Sequence, residues 1–300
     1  MERKRLLVVG CGDVARRALP QWLERYDVAA LVRAPDPALA ARGVRLFPGD
    51  LDQPETLAPL AGAADLIVHA APPPDAGPQD ARTRNLLAAL GQSQDLSQKG
   101  GAMLPQRVVY ISTSGVYGDC GGDYVDESRP VNAQTGRASR RVDAEARLSR
   151  WCGERGIALV ILRVPGIYAA DRLPLAQLRR GTPVLAPEDD VYTNHIHADD
   201  LAAILTVAVG VTHAEGVYNA SDDSEMKMGE YFDLVADRMS QPRPPRVRRA
   251  EAATRISPGL LSFMSESRRL VNRRMKAELG IRLRYPTVYE GVPQAAAQPG

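Results

Sequence analysis

Cysteine is scarce in these 300 residues: Cys11, Cys120 and Cys152 are odd in number and share no close spacing. That excludes a disulfide framework or a cysteine zinc site and favours a reducing compartment. Aromatics make up only 5% of positions and formal charge nets +2, so neither the field nor the stacking surface of a nucleic-acid binder is present. Long apolar runs are missing too. The stretch from Leu201 to Val209, interrupted only by Thr206, falls far short of the roughly 20 residues that cross a bilayer. The charged start, Glu2 to Arg5, runs straight into a strand-like Leu6 to Val9, so no signal peptide and no membrane partner are expected, and the cytoplasm is the default location. Lysine is the other shortage. Lys4, Lys99, Lys227 and Lys276 are the only four among 38 basic residues, and a mechanism that needs a lysine has few places to find one.

What is present is alternation. β-Branched runs at Arg5 to Val9, Val28 to Val32, Val44 to Phe47, Leu66 to His69, Arg107 to Ile111 and Ala158 to Leu162 are separated by helix-compatible stretches. The helices are expected at Val14 to Tyr26, Pro54 to Ala61, Pro78 to Leu90 and Arg137 to Arg155. This pattern predicts an α/β fold, a Rossmann-type doubly wound parallel sheet. Pro20 predicts a kink or early stop in the first helix. Polar Gln92 to Ala102 reads as a solvated insertion, and Tyr117 to Gly136 as a long loop after a strand, where function often sits. Beyond Pro165 come a short basic helix at Leu173 to Arg180, a buried helix at Asp199 to Val209, and mixed helices to Gly280.

Directly after the first strand stands Gly10-Cys11-Gly12-Asp13-Val14-Ala15, a G-x-G-x-x-A run that opens a helix. Gly10 makes the tight turn, Gly12 lets a pyrophosphate reach the main chain, and Ala15 permits close helix-to-strand packing. The free N–H groups of the helix start then hold the phosphates. In such a fold the end of the second strand reads the adenosine ribose, and here it offers Arg33 with no acid before Asp36. An arginine fork suits a 2'-phosphate, which favours NADP over NAD. Asp50 and Leu51 are placed to edge the adenine, and Ala70, Ala71 and Pro72 to floor the cofactor, while His69 reads as a packing residue at a strand end.

With these landmarks the chain resembles the extended short-chain dehydrogenase/reductase family, the NAD(P)-dependent epimerase/dehydratase-like proteins. Beyond the glycine turn, the likeness rests on Ser112-Thr113-Ser114-Gly115-Val116-Tyr117-Gly118 at a strand end. Arg163-Val164-Pro165-Gly166-Ile167-Tyr168, His195 to Ala202 and Val217 to Ala220 support it. The resemblance implies that Thr113 holds the substrate's reacting oxygen. It implies that Ser112, Pro165, Gly166 and Ile167 lie against the nicotinamide half. It also implies residues 1–165 as the NAD(P)-binding domain with 195–220 returning to it, 166–194 and 221–293 as a small mixed C-terminal substrate lobe, and 294–300 as a frayed tail.

The family's Tyr-x-x-x-Lys pair is absent. Anchored on Ala144-Glu145, its positions hold Arg137 and Arg141. Arg141 can keep a charge and a ribose contact, but a guanidinium stays protonated and cannot cycle a proton in place of tyrosine. Tyr117, Tyr124, Tyr168, Asp119, Asp123 and Asp126 are the remaining candidates for that task. His195, His197, Asp199 and Asp200 have the types of metal ligands, yet the acidic pair suits a helix start better, and no metal is expected. Asp222-Asp223 reads as a turn or helix-start signal. The arginines of 243–255 and 268–274 form either a solvated face or a clamp for an anionic small-molecule substrate. Two functions therefore stand open: an oxidoreductase, epimerase or dehydratase acting on a sugar nucleotide or related hydroxyl or carbonyl compound, or a catalytically degenerate NAD(P)-binding sensor. A homodimer is left open.

Overall fold

The computed structural model describes residues 3–92 and 103–295. Positions 93–102 of the expected insertion, and 296–300 of the expected tail, lie outside the described residues. Seven parallel strands form the central sheet: β1 (Arg5–Val9), β2 (Asp27–Val32), β3 (Arg45–Pro48), β4 (Leu66–His69), β5 (Arg107–Thr113), β6 (Ala158–Val164) and β7 (Gly216–Asn219). Their order across the sheet is β7-β6-β5-β4-β1-β2-β3, so the winding reverses between β1 and β4. A crevice must open there at the strands' carboxyl ends.

Both faces are covered, which is why the inner strands read as unbroken apolar runs instead of alternating ones. On one face α1 (Asp13–Arg25) and α4 (Ala198–Gly210) pack together over Leu6, Val8 and Val68. On the other, α2 (Ala81–Gly91) and α3 (Gly136–Gly153) bury Leu86, Leu148 and Trp151 against Leu7, Ile67 and Val108. A third cluster around Tyr168, Val184, Phe232 and Val247 belongs to the C-terminal part, where α5 (Met228–Arg238) contributes Phe232 and Val235. Residues 273–278, read from sequence as part of the lobe, form a short helix whose Met275, with Leu279 beyond it, packs into the first cluster under the sheet.

Two local expectations are corrected. α1 does not stop at Pro20 but continues to Arg25. Pro20 is exposed, and burial of Ala18, Leu19 and Trp22 against the sheet outweighs one missing hydrogen bond. The segment Pro54–Leu60 is a 3-10 helix rather than an α-helix. Pro59 removes a donor from the interior of so short a run. Strands β5 and β6 run two residues further than the apolar pattern suggests, pairing Thr113 with Val164 at the crevice lip.

Candidate active site

The turn after β1 is set by backbone geometry. Gly10 has φ of 91°, and a Cβ there would stand 2.4 Å from the Ala71 backbone nitrogen. At Gly12, the N-cap of α1, a Cβ would meet nothing within 4 Å, and no side chain caps the helix. Open space before uncapped N–H groups fits a diphosphate. Val14 and Ala15 are buried under the sheet, and Ala70 spends its N–H on the Val9 carbonyl, so these three serve packing and backbone rather than side-chain contact. Asp13 is the first residue of α1. Its carboxylate is held by Arg17 at 3.0 Å and Arg172 at 2.9 Å, which keeps it below the usual carboxylate range.

Two cavities open at the carboxyl ends of the strands, the smaller against this turn. The smaller, about 190 Å³, is lined by Gly10, Leu31, Arg33, Asp50, Leu51, Ala71, Pro72 and Arg82. Arg33 is exposed there and makes no hydrogen bond or ion pair among the described residues. Arg82, which sequence reasoning missed, is a surface-type arginine on α2 until the fold turns it in. It is fixed by Asp52 at 2.7 Å and by the Pro72 carbonyl at 3.2 Å.

The larger cavity, about 460 Å³, brings together Ser112, Thr113, Arg137, Arg141, Pro165, Gly166 and Ile167 under a roof from the C-terminal part that includes Tyr192, His195, Tyr231, Phe263 and Arg268. Thr113 Oγ1 accepts the Gly115 N–H at 3.2 Å, which leaves its own proton to donate into the cleft. Ser112 is buried and gives its hydroxyl to Glu145, so it supports the floor instead of meeting a ligand freely. Glu145 also takes Arg163 through two bonds of 3.2 and 2.7 Å, both residues being buried. Glu145→Ala should therefore cost about 3 kcal/mol in denaturant unfolding, because it strands a buried guanidinium. A loss below about 1 kcal/mol would show the pair to be solvated.

Residues 10–210 match a family model described as NAD(P)H-binding. The chain belongs to this NAD(P)H-binding family. Its structural relatives include a functionally unknown conserved protein from Silicibacter pomeroyi DSS, at 28% identity over 96% of each chain and TM-score 0.76. Another is a candidate NAD-dependent epimerase/dehydratase from Methylobacillus flagellatus, at 26% identity, 97% of this chain, 96% of that one and TM-score 0.71. The fold is also that of a UDP-glucose 4-epimerase from Thermus thermophilus in complex with NAD, at 21% identity over 96% of each chain and TM-score 0.71. Comparison with curated protein sequences gives no match. The cofactor of this NAD(P)H-binding protein is NAD(P), and its architecture is that of the epimerase/dehydratase structures.

Within that family frame the two arginines behave differently. Arg141 donates through Nη1 to the Ile111 carbonyl at 2.7 Å and the Tyr110 hydroxyl at 3.0 Å, and forms no further bond through Nε or Nη2 among the described residues. Arg137 lies on the first turn of α3 with its guanidinium 4.4 Å over the Phe263 ring. None of the other acids considered from sequence is free in the cleft. Tyr117 is buried and donates to Asn219, Tyr124 donates to Glu225, and Tyr168 donates to the Thr287 carbonyl. Asp119 accepts from Gly121 and Ser267, Asp123 pairs with Arg129, and Asp126 binds Ser128.

Of the histidines considered from sequence, two are spent on structural bonds. His69 bonds Thr83 at 2.8 Å, and burial lowers its pKa to about 3. The N-cap of α4 is His197, not the acidic pair. Asp199 is held by Arg17, and Asp200 accepts the backbone N–H groups of Arg284 and Tyr285. His195 lines the larger cavity as a neutral ring, its pKa lowered to about 3 by burial, stacked 4.2 Å from Tyr231.

Proposed function

We propose that the protein is an NAD(P)-dependent oxidoreductase of the epimerase/dehydratase type, using NADP in preference to NAD, that acts on a hydroxyl or carbonyl group of a sugar nucleotide or related small molecule. The observation that carries this reading is a pair of cavities at the carboxyl ends of the strands, one against the Gly10 turn with a free arginine, the other with Thr113 at its lip. When bound, the nicotinamide exchanges hydride with substrate carbon. The chain's own residues do the rest. Gly10 and Gly12 let the diphosphate reach the amides of α1, Arg33 and Arg82 take the 2'-phosphate, Arg141 keeps charge beside the nicotinamide ribose, and Thr113 donates to the substrate oxygen. The three thiols are free, and Cys152 is pushed up to about 12 by burial, which suits a cytoplasmic protein.

A second reading, a cofactor sensor without turnover, draws on the arginine at the tyrosine position. Hydride exchange against a panel of nucleotide sugars and small carbonyls separates the two, since turnover with any of them excludes a pure sensor. Arg33→Ala should weaken NADP by about tenfold or more and NAD by less than about twofold in calorimetric titration. Equal losses for both would remove the NADP preference.

A further inference from the structure

We propose that the substrate cleft of this protein is an oxyanion site in which Arg137 binds a carboxylate or phosphoryl group of the substrate, at the helix turn where the resembled family carries its proton donor. The inference rests on reading the larger cavity as the substrate site.

The electrostatics of Arg137 are one-sided. It occupies the first turn of α3, where the helix dipole is positive and where no acidic side chain is present. It makes no hydrogen bond or ion pair among the described residues. Its partner is Phe263, whose ring centroid lies 4.4 Å from the guanidinium carbon, and its N–H donors are unspent among the described residues. Burial in the cleft lowers its pKa, Glu266 opposes this, and the neighbouring Arg141 and Arg140 add to it, so its counter-charge is incomplete.

Its surroundings do not supply that charge. Four arginines, Arg137, Arg141, Arg172 and Arg268, line the cavity against the single carboxylate of Glu266. Arg172 is answered from outside by Asp13, but Arg141 bonds only neutral oxygens. Arg268 is buried. Its Nη1 goes to Gly118 and Glu266, its Nε is buried without a partner, and its Nη2 makes no bond among the described residues. The apolar side chains of the roof weaken screening of this excess.

The cofactor does not account for it. A diphosphate belongs at residues 10 to 15, and a 2'-phosphate at Arg33 beyond it, in the other cavity. The unspent fork of Arg137 therefore faces the second ligand, and a planar guanidinium matches a carboxylate or phosphoryl group through two parallel bonds.

The test is calorimetric titration of the full-length protein, with and without saturating NADP, using malonate and inorganic phosphate as probes at low ionic strength. The wild type should bind at least one probe, and the tighter of the two distinguishes carboxylate from phosphoryl recognition. Arg137→Gln should weaken that probe by about tenfold or more, with NADP affinity and thermal midpoint unchanged. Arg137→Lys, a point charge without the fork, should fall between them. Binding of neither probe by wild type, or equal binding by wild type and Arg137→Gln, overturns the proposal. Failure of NADP to bind while the probes still discriminate Arg137→Gln instead overturns the NADP reading and leaves the anion site standing.

Discussion

Gly10→Ala should abolish NAD(P) binding and lower stability by about 3 kcal/mol or more, a large loss for a single methyl group. Two costs coincide at this position. With φ at 91°, any L side chain is strained, and the added Cβ would lie 2.4 Å from Ala71 N, 2.6 Å from Ala71 Cα and 2.7 Å from the Ala70 carbonyl carbon. All three are backbone atoms at the end of β4, which cannot rotate away as a side-chain tip could. Relief requires β1 and β4 to part at the point where the winding reverses. Gly12→Ala is the matched control: its Cβ meets nothing within 4 Å, so it should fold normally and weaken the dinucleotide alone. Chemical denaturation together with cofactor titration of the two variants checks both halves. Normal folding of Gly10→Ala with retained binding would show that the turn is not the one described.

Asp222 carries the second large effect. Its carboxyl is 4% exposed and accepts the Ser224 N–H at 2.9 Å, while Oδ2 is buried without a partner. Burial, with Asp223 and Asp200 nearby, raises its pKa to about 8. Lys276 neutralises Asp223, and the Tyr168 and Tyr231 rings on the other sides offer no positive charge. The native state therefore holds a proton that the unfolded chain releases near pH 4. Its contribution is complete below that value and is lost as pH rises toward 8, at up to about 1.4 kcal/mol per pH unit. Asp222→Asn removes this slope. An amide without a partner costs about 1–3 kcal/mol, so the decisive quantity is the change of stability with pH rather than its absolute value. The stability difference between variant and wild type should stay constant below about pH 4 and change steadily from about pH 4 to 8; a constant difference throughout would mean the carboxyl titrates alike in the folded and unfolded chain.

Much of the molecule can be read before any coordinate, for reasons visible in particular residues. The sheet is legible because parallel strands buried on both faces demand uninterrupted apolar runs such as Leu6 to Val9. The phosphate turn is legible because only glycine accepts the backbone at position 10. Strand ends are not, since Ser112 and Thr113 are polar and their pairing is fixed by β6 rather than by their own composition. α1 shows the same limit, because the burial of Trp22 that carries the helix past Pro20 is a tertiary fact. In the site, Arg33 stands at a predictable offset from β2, whereas Arg82 comes from a helix whose facing depends on how α2 packs. The loop acids looked available in sequence because their partners, among them Ser267, Glu225 and Asn219, are distant along the chain. The loss of the tyrosine was legible, but the absence of a hydrogen-bonded or ion-paired partner for Arg137 among the described residues was not.

The short helix at Arg273–Glu278 has a practical outcome for fragment studies. Met275 and Leu279 fill part of the core beside β7, Tyr218 of β7 donates to Glu278, and Asn219 reaches the carbonyls of Val125 and Val271. The polypeptide thus returns to finish the unit it began, after building the roof on the way. Truncation at residue 220 would yield an open hydrophobic trough in place of an autonomous nucleotide-binding piece, and neither half made alone would be expected to remain monomeric in solution.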